Sequence, residues 1–198
     1  INAFALGAQM TNPRAKVYLE WSTLKEQDIE KRIDEIDPNC ISGKDIIVPD
    51  DNNHFYGVYH RESGGGEQKN LAMPLCHWGK FYEELIRTIM AGNWEQDNDV
   101  EKAINYWWGM PTGVVDVICS KKLPAGTVRL VNVLKHNYKT GQFHTFTDQM
   151  YAQGHILKEK KGETLSPEEV IEMDWLAENI IGRIPKIEEL QEQAKPVL

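Results

Sequence analysis

Apolar residues recur along the chain at spacings that separate helical from strand-like segments. Residues 1–10 are small and mostly apolar and predict a helix that Asn12-Pro13 stops. Val17-Tyr18-Leu19-Glu20-Trp21, β-branched and aromatic, predicts a strand. Over 25–37, Ile29, Ile33 and Ile36 share one helical face, and Pro38 ends the pattern. Strand-like runs follow at Cys40-Ile41-Ser42-Gly43, which leads into a loop, and at Tyr56-Gly57-Val58-Tyr59. Leu71-Ala72-Met73-Pro74-Leu75 is another, and its proline predicts a brief or peripheral strand, because an imide nitrogen has no hydrogen to give to a ladder. The strongest helical signal covers 78–90, where Trp78, Phe81, Tyr82, Leu85, Ile86, Ile89 and Met90 lie along one stripe and Gly92 is the stop.

Residues 104–108 and 114–118 predict strands separated by a Pro-Thr-Gly turn. Pro124 opens a helix to about Lys139 with Val128, Val131 and Leu134 turned inward. Ser166-Pro167-Glu168-Glu169 has the form of a capping box, and the helix it starts is predicted to carry Val170, Ile171, Met173, Trp175, Leu176 and Ile180 until Gly182 closes it. The charged tail after Pro185 predicts a short peripheral helix. Strands alternating with helices at this spacing predict an α/β fold with a mostly parallel sheet. There is no internal repeat, and the one biased stretch, Ser63-Gly64-Gly65-Gly66, reads as a loop.

With 198 residues the chain fits one large domain or two small lobes. Its 22 Lys plus Arg against 30 Asp plus Glu give a net charge of -8, which argues against nucleic acid or an anionic membrane surface as a partner. The hydrophobic share of 41% is that of a folded globular protein, and no run of about 18 apolar residues spans a bilayer. The chain opens Ile1-Asn2-Ala3 without a starting Met, so the expectation is that its original N-terminus lies upstream. Cys40, Cys76 and Cys119 form no CxxC pair and sit in apolar contexts, which predicts buried free thiols and leaves the redox compartment open.

The chain has no phosphate loop, dinucleotide fingerprint or nucleophile elbow, and its six histidines show no metal-ligand spacing. No cofactor and no metal are expected. No nucleophile, base and orienting group assemble from its residues, so it is read as a non-enzyme. Aromatic and polar residues do gather where the predicted strands end: Trp21-Ser22, Gly43-Lys44-Asp45, Tyr59-His60-Arg61-Glu62 and Cys76-His77-Trp78. Ligands of open α/β sheets bind at the carboxyl ends of the strands. The candidate ligand-binding set is therefore Trp21, Ser22, Gly43, Asp45, His60, Arg61, Glu62, His77 and Trp78. Trp21 or Trp78 would stack a flat ligand, while Asp45, His60, Arg61 and His77 hold its polar groups. The plainer alternative makes both tryptophans core and the charged residues solvated.

A family resemblance runs through nearly the whole chain. Its segments are 1–8 followed by Asn12-Pro13, Val17-Tyr18-Leu19-Glu20-Trp21, Tyr56-Gly57-Val58, His77-Trp78-Gly79-Lys80-Phe81-Tyr82, Gly92-Asn93-Trp94, Tyr106-Trp107-Trp108-Gly109, Gly113-Val114-Val115-Asp116 and Met173-Asp174-Trp175-Leu176. In their order and spacing they resemble the later half of basic membrane protein (PnrA-like) solute-binding proteins, the extracytoplasmic partners of ABC importers. The resemblance implies a type I periplasmic-binding-protein-like fold, in which Rossmann-like parallel-sheet lobes flanked by helices clamp a ligand, by family default a purine nucleoside. It implies that the first lobe is largely missing and belongs to the same or a longer chain. On that reading 1–70 is the second lobe, 71–120 returns to the first lobe through the hinge, and 121–198 completes both. The apolar stripe of 78–90 then needs a partner. The implied partners are a small-molecule ligand and an ABC transporter permease, and the implied location is extracytoplasmic, as a membrane-anchored lipoprotein at full length.

The resemblance also has departures. His60-Arg61-Glu62 stands where the nucleoside binders place an acid for the ribose, and His77 stands where a lysine is expected. Ser22-Thr23-Leu24 follows Trp21 in place of the base-stacking aromatic. These changes point to a different or more anionic ligand. The alternative function is the ligand-sensing domain of a transcriptional regulator or receptor, built on the same two-lobed fold.

Overall fold

The chain divides into two units, 1–37 together with 144–198, and 38–143. The computed structural model describes residues 1–43, 56–62, 68–92 and 109–195. In chain order its elements are α1 (Asn2–Thr11), β1 (Val17–Tyr18), α2 (Ile29–Ile36), β2 (Cys40–Ser42), β3 (Val58–His60), β4 (Lys69–Cys76), α3 (Trp78–Met90), β5 (Val115–Cys119), α4 (Ala125–Lys139), β6 (Thr147–Ala152), β7 (Ile156–Thr164), α5 (Pro167–Ile171) and β8 (Ile180–Ile181). The expected mixture of helices and strands is present, with both parallel and antiparallel pairing. The strand expected at 104–108, the glycine loop and Asp45 lie outside the described residues.

The first unit is held by a junction between its N-terminal helix and a segment more than 170 residues later. Ala5 and Ala177 are fully buried and pack with Leu176 and Ile180, with Leu6, Val17, Leu19 and Trp175 around them. Two buried asparagines complete the junction. Asn2 accepts the Ala177 N–H at 2.9 Å and donates to the Trp175 carbonyl at 2.8 Å. Asn179 donates to the Ala5 carbonyl at 2.9 Å. Small alanines let the backbones approach, and the asparagine amides then satisfy backbone groups that burial removes from water.

That junction also explains where the long C-terminal helix fails to form. The Ser166 capping box is present, with the Ser166 hydroxyl on the Glu169 N–H and the Glu169 carboxylate on the Ser166 N–H, yet α5 ends at Ile171. Beyond it, Trp175 and Ala177 give their backbone groups to Asn2 and Ile180–Ile181 pair with β1, so tertiary contacts override helical periodicity. The β6–β7 hairpin, which the apolar pattern does not announce, joins the same segment through an Ala152–Ala177 bridge. In α2 the start moves to Ile29 because the Asp28 carboxylate caps the Lys31 N–H.

In the second unit the sheet runs β2-β3-β4-β5 and every pairing is antiparallel, which corrects the expectation of a mostly parallel sheet. Between β3 and β4 lie only eight residues, too few for the crossover that parallel neighbours require. The proline prediction is corrected as well, since β4 is a full interior strand of eight residues containing Pro74. Leu71 accepts from Ser120 and His77 donates to Val114, so odd-numbered residues of β4 turn their backbone groups toward β5. Pro74 therefore aims its imide nitrogen at the β3 side, past Ala72, where registered pairing with β3 has ended. Gly57 lies beside that end with φ +62°, and a Cβ there would sit 2.4 Å from the Ala72 oxygen.

Helix α4 has Val128, Val131 and Leu134 half-buried, as its periodicity predicts, and leaves Leu130 and Val133 exposed. Its Lys135 reaches Asp116 of β5 at 2.7 Å and the Val117 carbonyl at 2.8 Å. The lysine ammonium holds the Asp116 carboxyl below the usual carboxylate range. Helix α3 has the predicted bounds, but none of its residues is buried. Cys40 and Cys76 are exposed and Cys119 is half-buried, so the three free thiols are not the buried ones expected.

The two asparagines should differ in worth. Asn2→Ala leaves the buried Ala177 N–H and the half-buried Trp175 carbonyl without their partner, a loss of about 1–3 kcal/mol. Asn179→Ala should cost less, because the Asn179 Oδ1 already lacks a hydrogen-bond partner among the described residues and its removal offsets part of the loss. Urea unfolding of the two variants, followed by circular dichroism, checks the order.

Candidate functional site

Strands β1 and β8 are a parallel pair, with Val17 opposite Ile180 and Tyr18 opposite Ile181. Leu19 N–H donates to Ile181 at 2.9 Å, and past this bond the two chains diverge. The space left at their carboxyl ends is a cleft of about 240 Å³ lined by Tyr18, Leu19, Glu20, Trp21, Leu24, Arg32, Ile181, Gly182, Arg183 and Pro185. It lies wholly within the first unit. Parallel strands aim their free backbone groups and following loops at one edge, which is where ligand crevices of α/β sheets form.

Each wall has a local cause. Gly182 follows β8 at φ +148°, and a Cβ on it would come within 2.9 Å of both the Leu19 Cβ and the Leu19 oxygen. Only glycine lets the two strands close up at the cleft floor. Trp21 donates its indole N–H to the Arg183 carbonyl at 2.9 Å, so its polar edge is spent on the opposite wall and its ring lines the cleft. Residues after Pro185 bind back across this end: Lys25 N–H donates to Glu189 at 3.0 Å, Gln191 N–H to Thr23 at 2.9 Å, and Leu24 bridges Leu190.

Both arginines of the cleft have carboxylate partners. Arg32 meets Glu20 at 3.0 Å and Glu35 at 2.7 Å. Arg183 forks onto Glu189, one nitrogen at 2.6 Å, and Glu189 also takes the Lys186 N–H at 2.7 Å. The Arg183 hydrogen bond, followed by that of Lys186, lowers the Glu189 carboxyl to about 2. The cleft thus offers aromatic and aliphatic faces with compensated charges at the rim, suited to holding a small flat molecule by stacking and edge contacts. Among the described residues no three or more His, Cys, Asp and Glu side chains gather to hold a metal ion.

No protein-family model matches the chain. It is 24% identical, over 197 residues, to a purine-binding protein of Brucella abortus (strain 2308), covering 94% of this chain and 54% of that protein. A protein of Haloferax volcanii named as an ABC transporter glucose-binding protein is 30% identical over 126 residues, 58% of this chain and 30% of that one. These names, a purine-binding protein and an ABC transporter glucose-binding protein, are in line with the solute-binding-protein resemblance read from the sequence. The chain spans about half the length of the Brucella relative. Both relatives are named for what they bind. No helix among the described residues is long and apolar enough to cross a membrane.

Of the residues that sequence reasoning singled out, Trp21 lines the cleft and Ser22 is the exposed residue next to it. The others with described positions belong to the second unit. Gly43 donates its N–H to Gly57 at 2.7 Å. His60 lies opposite Cys40 on one side and Lys69 on the other, Glu62 pairs with Lys69 at 3.0 Å, and Arg61 donates its backbone N–H to Asn39. The lysine also holds Glu62 below the usual carboxylate range. His77 precedes α3 and donates its backbone N–H to Val114 at 2.7 Å. Trp78 is 61% exposed, with its ring edge-on to Phe81 at 5.9 Å, and is not core.

Within the second unit these groups do not converge. In an antiparallel sheet neighbouring strands end at opposite edges, so His60-Arg61-Glu62 stands at the start of β4 and His77-Trp78 past its end, about 25 Å of strand apart. Sequence reasoning missed Tyr18, Leu19, Glu20, Leu24, Arg32, Ile181, Arg183 and Pro185 as cleft residues. Only Gly182 carried a signal, and it was taken as a helix stop when it is the turn that follows a parallel strand.

Two outcomes follow from this geometry. Gly182→Ala should lose about 1–3 kcal/mol through an unfavourable φ and the contact with Leu19, read by thermal unfolding. Because Glu189 is lowered on folding, its stabilising contribution is complete above the ordinary value of 4.5 and fades as pH falls toward about 2. The melting-temperature difference between the parent chain and Glu189→Gln should therefore be full at pH 6 and shrink steadily between about pH 4.5 and 2.

Proposed function

We propose that this chain forms ligand-binding machinery of an extracytoplasmic solute-binding protein that hands its ligand to an ABC transporter permease. The ligand class we propose is a purine base or nucleoside. The reading is carried by one observation: a single relationship to a purine-binding protein extends over 94% of the chain and so runs through both walls of the cleft. The cleft at the carboxyl ends of β1 and β8 supports it, because a purine is flat and Trp21 offers it a ring face.

The two-lobed, type I binding-protein architecture belongs to the same proposal. The chain leaves the first unit after Asp37 and re-enters it at His144, two crossings of the kind a hinged pair of lobes uses. The parallel β1–β8 pair, packed against α1 through Ala5 and Ile180, supports a doubly wound lobe there. Trp21 and Ser22 would contact the ligand from this unit. Gly43, Asp45, His60, Arg61, Glu62, His77 and Trp78, in the second unit, stay candidate contacts on the sequence reading alone. Anchoring as a lipoprotein at full length completes the reading.

Isothermal titration of the purified chain with adenosine, guanosine, hypoxanthine and D-glucose tests it. One-site binding of a purine is the expected result, and Trp21→Ala should weaken it by about 1–3 kcal/mol, roughly 5- to 150-fold in Kd. Binding of glucose alone, or of none of the four, would overturn the purine assignment.

A further inference from the structure

We propose that Glu189 is a positioning residue for Trp21, acting through Arg183 to set the plane of the indole that walls the cleft. The inference rests on the reading of that cleft as the ligand site. An indole has a single hydrogen-bond donor, and that of Trp21 goes to the Arg183 carbonyl at 2.9 Å. The orientation of the ring is therefore only as definite as the position of that carbonyl. Arg183 opens a turn that Glu189 closes: the Glu189 carboxylate takes the Arg183 guanidinium fork on one side and the Lys186 N–H at 2.7 Å on the other. The Glu189 backbone carbonyl in turn accepts the Lys25 N–H at 3.0 Å, four residues beyond Trp21. A closed loop results, in which one carboxylate fixes both the turn that presents the acceptor and its distance from the strand that presents the donor.

Glutamate fits this place for a chemical reason. Three donors converge on its two oxygens, two from the guanidinium and one from the backbone. Glutamine has one acceptor oxygen and an NH₂ group that faces the arginine donor to donor. Aspartate is one methylene shorter. The pair lies at the surface, with side-chain exposures of 62% for Arg183 and 36% for Glu189, so its removal leaves the buried junction of the first unit intact.

The test uses amide and indole resonances of the whole chain without ligand, in which six tryptophans give six indole signals and Trp21→Phe assigns one of them. Glu189→Gln should shift the Trp21 indole signal and speed its exchange with solvent by about tenfold, while the Trp175 signal stays in place. Arg183→Met should produce the same change, and the double variant no more than either alone, since both break one path. An unmoved Trp21 signal in Glu189→Gln would overturn the proposal. So would a shift in Glu189→Gln that Arg183→Met does not reproduce, because the carboxylate would then act by another route. If Glu189→Gln does not fold, Arg183→Met alone decides. No ligand enters this measurement, so a chain that binds no purine would sink the functional reading and leave the positioning result standing.

Discussion

The docking of α1 onto the segment around Ala177 is the contact on which the first unit depends. Two fully buried alanines allow the approach, and two asparagine amides make it tolerable by pairing with Trp175, Ala177 and Ala5 backbone groups. With that segment pinned, Ile180–Ile181 can only run alongside β1, and parallel to it. The cleft follows from the same constraint, since it is the gap that two parallel strands leave when they separate beyond Leu19 and Gly182. The cleft is in this sense a by-product of how the N-terminal helix is satisfied.

The second unit obeys a different logic. Its sheet is antiparallel and contains a proline whose missing hydrogen falls past the end of the registered pairing with β3. Such a sheet disperses the ends of its strands, and with them the histidines and carboxylates that a parallel arrangement would gather. The exposed stripe of α3, from Trp78 through Tyr82, Ile86 and Ile89 to Met90, finds no burial among the described residues.

Local pattern was a good guide wherever local forces decide. The bounds of α3 and α4, the Ser166 capping box and the placement of α1 could be read from periodicity and caps. It misled where a distant contact outweighs propensity. The apolar run from Val170 to Ile180 has helical spacing, but Trp175, Ala177 and Ile180 are claimed by α1 and β1. The same limit applies to the site. Trp21 could be picked out because a tryptophan at a strand end is conspicuous, whereas Arg183 and Glu189 act through a turn that no periodicity describes. Relationship to the solute-binding proteins was legible through ordered short segments, even where pairwise identity is 24%.

The pairing of residue 2 with residues near 175 has a consequence for the order in which the molecule is made. The second unit is contiguous, and all four of its strands lie between residues 40 and 119, so its sheet can close before residues 175–181 are made. Helix α1 is synthesised first of all the elements described, but its partner segment is among the last. Its apolar face must wait, unsatisfied, through the making of the second unit, and the unit that carries the cleft becomes native only after residues 175–181 have been made.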